Sequence, residues 1–435
     1  MNNRFGFVKV AAATPLVKIA DCHANAEAID RLTAEAVERG ASVVVFPELS
    51  LTGYTCGDLF LQSRIIEAGD EALAQLLATP RPIVSIIGMP IYYKNNLYNC
   101  AVVIANGKIE GIVPKSYIPN YSEFYESRWF SEGRDIRNTE ITICGQRVRF
   151  GTDLLFDVHG VKFGVEICED LWVPAPPSSD MALAGATLIF NLSATPEILG
   201  KHAYLRSLIK QQSARALCGY IYASAGVGES STDLVFTGNG IIAENGKIIA
   251  ARERFVREAR LTVADIDVEH IFNERRRHTS FINLDNRFDV MKIDIAQPES
   301  ELERAQALNQ ELAEAAAVYD DALMELYFEK GSLTQDDIRA GLKLGVSKRD
   351  IMPIFCASGK RDIGTKRLME FIINVGPGPL KAPAFLSTEG EEILANDDEP
   401  AVVFVFKSQI EQHIGEITYF RVVRGKVTEG MELVN

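Results

Sequence analysis

The chain has 435 residues, of which 47% are hydrophobic and 24% are charged, a balance typical of a globular protein with two or three domains. Its net charge of -14 argues against a generic binder of the nucleic-acid backbone, because such proteins present basic surfaces. No apolar run is long enough to span a membrane. The start, MNNRFGFVKVAAATP, is interpreted as a strand rather than a signal peptide, because Lys9 interrupts its apolar stretch.

The cysteines are scattered along the chain and form no CxxC pair. This pattern favours a reducing compartment, and hence the cytoplasm, over a disulfide scaffold or a zinc site. The seven positions are Cys22, Cys56, Cys100, Cys144, Cys168, Cys218 and Cys356.

Up to about residue 270, strand-like and helix-like segments alternate. The first strand, FGFVKVAAA, precedes a helix with Asp21 as its predicted N-cap and Gly40 as its C-terminal stop. KHAYLRSLIKQQSARAL predicts another helix, and NGK predicts a hairpin turn in both VIANGKIEG and IIAENGKIIA. This alternation predicts an α/β layered fold. The further predicted strands are SVVVF, PIVSIIG, CAVVIANG, KIEGIVP, VKFGVEIC, TLIFNLS, YIYASAG, NGIIAEN and KIIAARE.

The pattern changes after about residue 283. Residues 299–330 predict a long acidic amphipathic helix, and Thr334 with Asp337 predicts a capping box at the start of another helix. A buried strand, MPIFCAS, a helix, TKRLMEFIINV, and a linker, GPGPLKAP, follow. PAVVFVFKS and GEITYFRVVRGKV are predicted as the first strands of a β-barrel.

Three reactive or charged residues each follow an apolar strand. Glu48 lies in VVVFPELSLTGY, Lys115 in VPKSYIPNYSEFYE and Cys168 in GVEICEDLW. Strand ends are where a rigid scaffold presents side chains to a shared pocket. Singly, each has an ordinary structural interpretation as a cap, a surface charge or a buried thiol.

In that order, FPEL, the lysine of VPKSYIPNY and the cysteine of EICED resemble the nitrilase, or carbon–nitrogen hydrolase, superfamily. More closely, they resemble the glutaminase domain of glutamine-dependent NAD synthetases. Flanks such as NLSATPEILGKHAYLR and YASAGVGESSTDLVFTGNG carry the resemblance through residues 5–280. It implies a four-layer α-β-β-α sandwich, and an enzyme that hydrolyses glutamine to supply ammonia for NAD synthesis without a cofactor of its own.

The resemblance also implies a role for each site residue. Glu48 is expected to be the base and Cys168 the nucleophile that forms a thioester. Lys115 is expected to favour the thiolate and, with the backbone N–H of Glu169, to stabilise the oxyanion. Glu123 matches the second glutamate of the superfamily, which positions the lysine and the attacking water. The positions that match substrate contacts are Tyr121, Glu169 and Ser193.

Other interpretations are weaker. A cysteine protease also uses a thiol nucleophile, but none of the six histidines lies in a protease signature, and His202 is interpreted as structural. HIFNERRRHTS is basic, yet no aromatic residues of the kind that stack on RNA bases accompany it. Glutamine is therefore the expected partner; no membrane, metal, nucleic acid or ribosome is expected, and homo-oligomer formation is left open.

Residues from about 290 to 435 instead resemble elongation factor G. ELAEAAAVYDDALMELYFEKGSLTQDDIRAGLKLGV resembles the helical insertion in its GTP-binding domain, and Ser358 with Lys360 match its last guanine-contacting loop. The sequence contains no NKxD motif, no SGGxDS-type loop and no GxxxxGK[ST] loop. No ATP site, GTP site or GTPase activity is therefore expected, nor a synthetase domain, and the barrel is expected to stop part-way at Asn435.

The predicted organisation is a nitrilase-like glutaminase domain at 1–283, a junction at 284–298, a remnant of a GTP-binding domain at 299–380 and a truncated β-barrel domain at 381–435. The simplest account is a join of two unrelated gene pieces, natural or artificial. Two alternative functions stay open: an inactive chimeric fragment, and a truncated translation factor without GTPase activity.

Overall fold

The computed structural model describes residues 6–279, 281, 287–295, 299–355, 357–359, 364–376, 378, 384–411 and 415–434. The chain divides into two compact units, Met1–Leu302 and Glu303–Asn435. The first unit runs past the predicted domain end at residue 283. Part of the predicted junction, Asp289–Ile293, is a strand of that unit.

Among the described residues, eight strands of the first unit form one sheet. With the strands numbered in chain order, their order across the sheet is β14-β1-β2-β3-β4-β5-β7-β6. β1, β2 and β3 are parallel neighbours, whereas β3, β4 and β5 run antiparallel. The strands are β1 Phe7–Thr14, β2 Val43–Val45, β3 Val84–Tyr93, β4 Asn96–Ala105, β5 Lys108–Pro114, β6 Thr139–Ile143, β7 Gln146–Phe150 and β14 Arg260–Asp267.

A second sheet contains seven described strands, in the order β13-β12-β11-β10-β9-β8-β15. β9, β10 and β11 are parallel at its centre, and antiparallel partners flank them. The strands are β8 Leu154–Val158, β9 Val161–Ile167, β10 Leu188–Ser193, β11 Gly219–Ser224, β12 Gly240–Glu244, β13 Lys247–Ala251 and β15 Asp289–Ile293.

Helices cover the outer faces of the two sheets. Asp21 caps the first helix, since its side chain accepts a hydrogen bond from the Ala24 N–H, and Gly40 follows the helix with φ +73°. Both predicted helix ends are confirmed. The helices of this unit are α1 Cys22–Glu38, α2 Ser63–Leu77, α3 Pro177–Leu183, α4 Lys201–Arg215 and α5 Val268–Arg277.

Side-chain alternation creates three packed layers of core. In β2, Val43 and Val45 pack between the sheets, while Val44 points to the α1–α2 layer. In β10, Phe190 packs between the sheets and Ile189 against α3 and α4. Both strands are buried on both faces, and β2 appears in the sequence as a continuous apolar run. β10 also carries the buried polar residues Asn191 and Ser193. The first unit is therefore an α-β-β-α sandwich, as predicted.

The second unit contains helices and two small antiparallel hairpins among its described residues. The predicted helix at 299–330 is broken after Ala317, and the predicted capping box at Thr334 is present, with Asp337 as its partner. The elements are α6 Glu299–Ala317, which crosses the unit boundary, α7 Asp321–Lys330, α8 Gln335–Lys348, α9 Thr365–Asn374, β16 Phe385–Leu386, β17 Glu392–Ile393, β18 Val402–Glu411 and β19 Gly415–Arg424.

One predicted element of this unit is wrong. Residues 352–355 of the predicted strand MPIFCAS have no strand structure, and Met352 and Ile354 are 83% and 91% exposed. An apolar run needs neighbouring strands to become a buried strand, and the described part of this unit offers no such sheet here. Cys356 and Lys360 lie outside the described residues, as does most of the predicted linker.

None of the helices in the described part of the chain combines the length and apolar character that a membrane span needs.

Candidate active site

Glu48 lies just beyond β2, where the chain turns between the two sheets. Its backbone N–H donates to the Ser193 carbonyl at the end of β10, at 3.3 Å. The carboxylate is completely buried, and Oε1 accepts hydrogen bonds from Lys115 Nζ at 2.6 Å and Asn99 Nδ2 at 2.7 Å. Within the described residues Oε2 has no hydrogen-bond partner, so this oxygen is available to take a proton.

A glycine in β3 allows the Glu48 turn to approach the sheet. A Cβ atom on Gly88 would lie 2.3 Å from the Leu49 nitrogen and 2.6 Å from the Pro47 carbonyl oxygen. Both atoms belong to the backbone, which cannot move aside without displacing Glu48. The absence of a side chain at Gly88 is therefore a condition for this site.

We expect Gly88→Ala to destabilise the first unit by about 1–3 kcal/mol, because the added methyl group overpacks a rigid backbone contact. The substitution should also move the Glu48 carboxylate away from Lys115 and so reduce any activity of the site. Urea unfolding and turnover measure the two effects. Gly69→Ala in α2 is the control, because the added Cβ would contact only Met89 Cε, at an ordinary distance of 3.6 Å. Equal behaviour of the two variants would contradict this explanation.

Lys115 follows β5 and is held between two buried carboxylates. Besides Glu48, its Nζ contacts Glu126 Oε1 at 2.7 Å and Oε2 at 2.8 Å. Burial alone would lower the pKa of Lys115, but the charges of Glu126 and Glu48 raise it well above its ordinary value, so the ammonium form is stable. Tyr54 donates its hydroxyl hydrogen to Glu126 Oε1 at 2.7 Å.

The prediction that Glu123 positions the lysine is corrected. Glu123 is paired with Lys201 at 3.6 Å, and Glu126 occupies the place against Lys115. Residues 126–128 form a short 3-10 helix, and Glu126 is its first residue and is buried. Counting along the sequence could not distinguish the two, because the loop after Lys115 is irregular and both carboxylates lie within it.

Cys168 begins a 3-10 helix, Cys168–Leu171, directly after β9. Its φ of +47° is in the left-handed region, which is strained for a residue with a Cβ atom and recurs at functional sites. Asp170 fixes the turn by accepting hydrogen bonds from the backbone N–H groups of Ile167 at 3.0 Å, Ser116 at 3.1 Å and Tyr117 at 3.0 Å. One carboxylate therefore joins the cysteine turn to the segment that follows Lys115.

The surroundings of Cys168 favour the protonated form of its thiol. Burial and the negative charge of Glu48 raise the pKa of Cys168 well above its ordinary value, although Lys115 opposes them. The expected effect of the lysine is present, because Lys115 lowers the pKa of the thiol, but burial and Glu48 outweigh it. The nucleophile must therefore lose its proton to a base during the reaction.

A hydroxyl pair lies beside the thiol. Thr195 Oγ1 is 3.8 Å from Cys168 Sγ and accepts a hydrogen bond from the Tyr222 hydroxyl at 2.6 Å. Ser193, predicted to hold substrate, is completely buried, and its Oγ donates to Asn191 Oδ1 at 2.6 Å. Sequence reasoning missed Thr195, two residues farther along the same flank.

The other predicted substrate contacts meet at a more exposed edge. The Tyr121 hydroxyl lies 3.0 Å from both carboxylate oxygens of Glu169, and Tyr121 is 54% exposed. The Lys201 ammonium group lies over the rings of Phe124 and Trp172, 5.5 Å and 5.4 Å from their centroids. This edge therefore offers acidic, basic and aromatic groups to a small polar molecule.

Metal ligands do not cluster in the described part of the chain: no group of three or more His, Cys, Asp or Glu side chains is placed to hold a metal ion. The six described cysteines are all free thiols. The site itself combines a buried carboxylate, a buried lysine and a buried thiol.

Comparison with known proteins assigns the class. Residues 9–275 match the carbon–nitrogen hydrolase family. This is more than half of the chain, and the chain therefore belongs to the carbon–nitrogen hydrolase family and is a hydrolase.

Within this family, the chain is similar to glutamine-dependent NAD(+) synthetases. The chain is 45% identical over 281 residues to the glutamine-dependent NAD(+) synthetase of Mycobacterium tuberculosis H37Rv, covering 63% of this chain and 41% of the relative. It is 32% identical over 251 residues to the enzyme of Aquifex aeolicus, covering 57% of this chain and 41% of that relative. The chain thus spans about two fifths of the length of these relatives.

A solved structure shows the same similarity. The glutamine-dependent NAD(+) synthetase of Cytophaga hutchinsonii has 29% sequence identity and a TM-score of 0.53, over 60% of this chain and 43% of that one. The first unit is thus nitrilase-like in fold and similar to the corresponding part of those synthetases.

Proposed function

We propose that the first unit hydrolyses the side-chain amide of glutamine and releases ammonia for NAD synthesis. The observation that carries the proposal is the buried pair of Glu48 and Lys115, whose charges both act on the thiol of Cys168. An amide is split by a nucleophile, a base that deprotonates it and a charge that stabilises the oxyanion, and these three residues supply those functions. The similarity to glutamine-dependent NAD(+) synthetases supports glutamine as the substrate.

In the first half of the proposed reaction, Cys168 Sγ attacks the amide carbon while Glu48 takes the thiol proton. Lys115 Nζ and the Glu169 backbone N–H stabilise the negative oxygen that forms. The carbon–nitrogen bond then breaks, and Glu48 returns its proton to the departing nitrogen. Ammonia leaves, and a γ-glutamyl thioester remains on Cys168.

In the second half, Glu48 takes a proton from water, and the resulting hydroxide attacks the thioester carbon. Collapse of the second oxyanion expels the sulfur, which recovers the proton, and glutamate leaves. Glu126 keeps Lys115 in place through both halves, the role first expected of Glu123. The reaction balances with water alone, so it needs no cofactor.

At the exposed edge, we propose that Tyr121 and Glu169 bind the ammonium group of glutamine, and that Lys201 binds its carboxylate. These charges are complementary to the two ends of a free amino acid. Thr195, beside the thiol, is placed to contact the reacting amide. Ser193 acts behind the site, by holding the backbone of Glu48.

Glutamate and ammonia release from glutamine by the purified chain, beside Cys168→Ala, tests the proposal. We expect turnover that disappears in the variant. A folded chain that shows no turnover at any glutamine concentration would favour the alternative that it is an inactive fragment. Turnover that survives in Cys168→Ala would place the chemistry elsewhere.

The pH dependence should identify Glu126. Burial, only partly offset by Lys115, raises the pKa of Glu126 to about 6. As pH falls through this value the carboxylate is protonated and releases Lys115, which then pairs with Glu48 alone and weakens the base. We therefore expect kcat/KM to fall on the acid side with a midpoint near pH 6. In Glu126→Gln the same loss, about 10- to 150-fold for one charged hydrogen bond, should apply at every pH.

Glu123→Gln is the matched control, because it changes the neighbouring glutamate that pairs with Lys201 instead. It should keep the acid limb near pH 6 and mainly raise the KM for glutamine. If Glu123→Gln removed the acid limb and Glu126→Gln kept it, the original assignment of Glu123 would be restored.

For residues from about 290 to 435, we propose only that they derive from a protein similar to elongation factor G. The capping box at Thr334 and the hairpin of β18 and β19 support the elements that the resemblance implies. Ser358 is described, but its predicted partner Lys360 is not. We propose no nucleotide chemistry for these residues.

A further inference from the structure

Two adjoining cavities open beside α2, between this helix and the hairpin of β3 and β4. Their volumes are about 450 Å³ and 410 Å³, and both are lined by Ile66, Asp70 and Tyr92. Binding sites for small molecules have volumes of roughly 300–1,000 Å³. The pair, called here the α2 cavity, is therefore large enough for a small organic ligand.

The walls of the α2 cavity are mainly apolar and aromatic. Phe60 and Trp129 line one side, with ring centroids 6.2 Å apart, and Leu97 completes it. Tyr93 and Ile143 line the other side. Such walls bind an apolar body, and the faces of the aromatic rings attract cations.

One acidic group faces this cavity without a counter-ion. Within the described residues, the Asp70 carboxylate has no hydrogen bond or ion pair, and burial raises the pKa of this half-buried group. The neighbouring Glu67 is different, because it lies 3.8 Å from Arg64. Lys94 also lines the cavity, but its ammonium group lies over the Tyr93 ring at 5.1 Å. A half-buried carboxylate is most stable when a cation pairs with it.

We propose that the α2 cavity binds an organic ammonium ion with an aromatic body, with the ammonium group on Asp70 and the ring against Phe60 and Trp129. The ligand would contact the residue that directly follows the 3-10 helix carrying Glu126. The site is separate from the residues of the proposed amide chemistry.

Trp129 provides a direct reporter. The chain has two tryptophans, so Trp172→Phe leaves Trp129 as the single indole in the protein. Benzylamine, which is cationic at pH 7, and benzyl alcohol, its neutral counterpart of equal size, are titrated into this full-length variant. We expect a saturable change in Trp129 fluorescence with benzylamine and at least about tenfold weaker binding of benzyl alcohol.

Asp70→Asn in the same background should weaken benzylamine binding by about tenfold and leave benzyl alcohol binding unchanged. Glu67→Gln is the matched control, on the same helix and cavity, and should leave both affinities within about twofold because Glu67 already has a partner. No saturable change with benzylamine, or equal binding of both probes to the parent and to Asp70→Asn, would overturn the proposal. Because the readout is binding, failure here is distinguishable from failure of the proposed amidase.

Discussion

Lys115→Met is expected to abolish glutamine hydrolysis and to destabilise the first unit by about 3–5 kcal/mol, the cost of leaving buried charges without their partner. In the wild type one ammonium group contacts Glu48 and Glu126, and all three side chains are almost completely buried. Methionine matches the lysine in length but leaves two carboxylates facing each other with no cation between them.

The destabilisation should depend on pH in a definite direction. Without Lys115, the folded-state pKa of Glu126, which burial already raises, would rise farther above its unfolded value. A carboxyl group with a raised folded-state pKa stabilises the fold at low pH, and this contribution is lost as pH rises through that pKa. The variant should therefore lose less stability at pH 5 than at pH 8.

Urea unfolding followed by tryptophan fluorescence measures this effect in the first unit, where Trp129 and Trp172 both lie. Lys210→Met, on the exposed face of α4, is the control and should change stability by no more than about 0.5 kcal/mol. A Lys115→Met protein as stable as this control would mean that the Lys115 ammonium group contributes little to the stability of the buried cluster.

The positions of Glu48, Lys115 and Cys168 could be predicted because each follows a strand whose apolar run is visible in the sequence. Strand ends on a layered fold converge, and a motif fixes which residue stands at each end. Glu126, Asn99 and Tyr54 could not be predicted in this way. They reach the site through irregular loops or from the side of a strand, and their roles depend on tertiary contacts.

Some strands of the fold could likewise be predicted from the sequence, and others could not. The buried strand β2 is apolar throughout and was predicted, whereas β6 and β14 alternate polar and apolar residues at the sheet edges and were not. β15 lies in the predicted junction because its charged residues conceal the pairing with β8. The buried strand β8 was also missed, and the edge strand β13 was predicted, so burial alone does not decide which strands the sequence reveals.

Glu48→Gln should separate the role of this residue as a base from its role as a charge. Removing the base should lower glutamine turnover by about 10²- to 10⁴-fold. Removing the negative charge should also lower the pKa of Cys168, because Glu48 is, after burial, the main cause that raises it. The variant should therefore be poor in amide hydrolysis while its thiol ionises more readily than in the wild type.

Both effects are measurable on one protein. Glutamate release gives the turnover, and mass spectrometry of the Cys168 peptide gives the rate of iodoacetamide alkylation as a function of pH. In Glu48→Gln we expect the pH of half-maximal alkylation to move downward while turnover collapses. Glu110→Gln, the same change on β5, is the control and should alter neither quantity. If alkylation and turnover were lost in parallel, Glu48 would be needed for the shape of the site. If turnover survived, another group would be the base, because a protonated thiol cannot attack an amide without one.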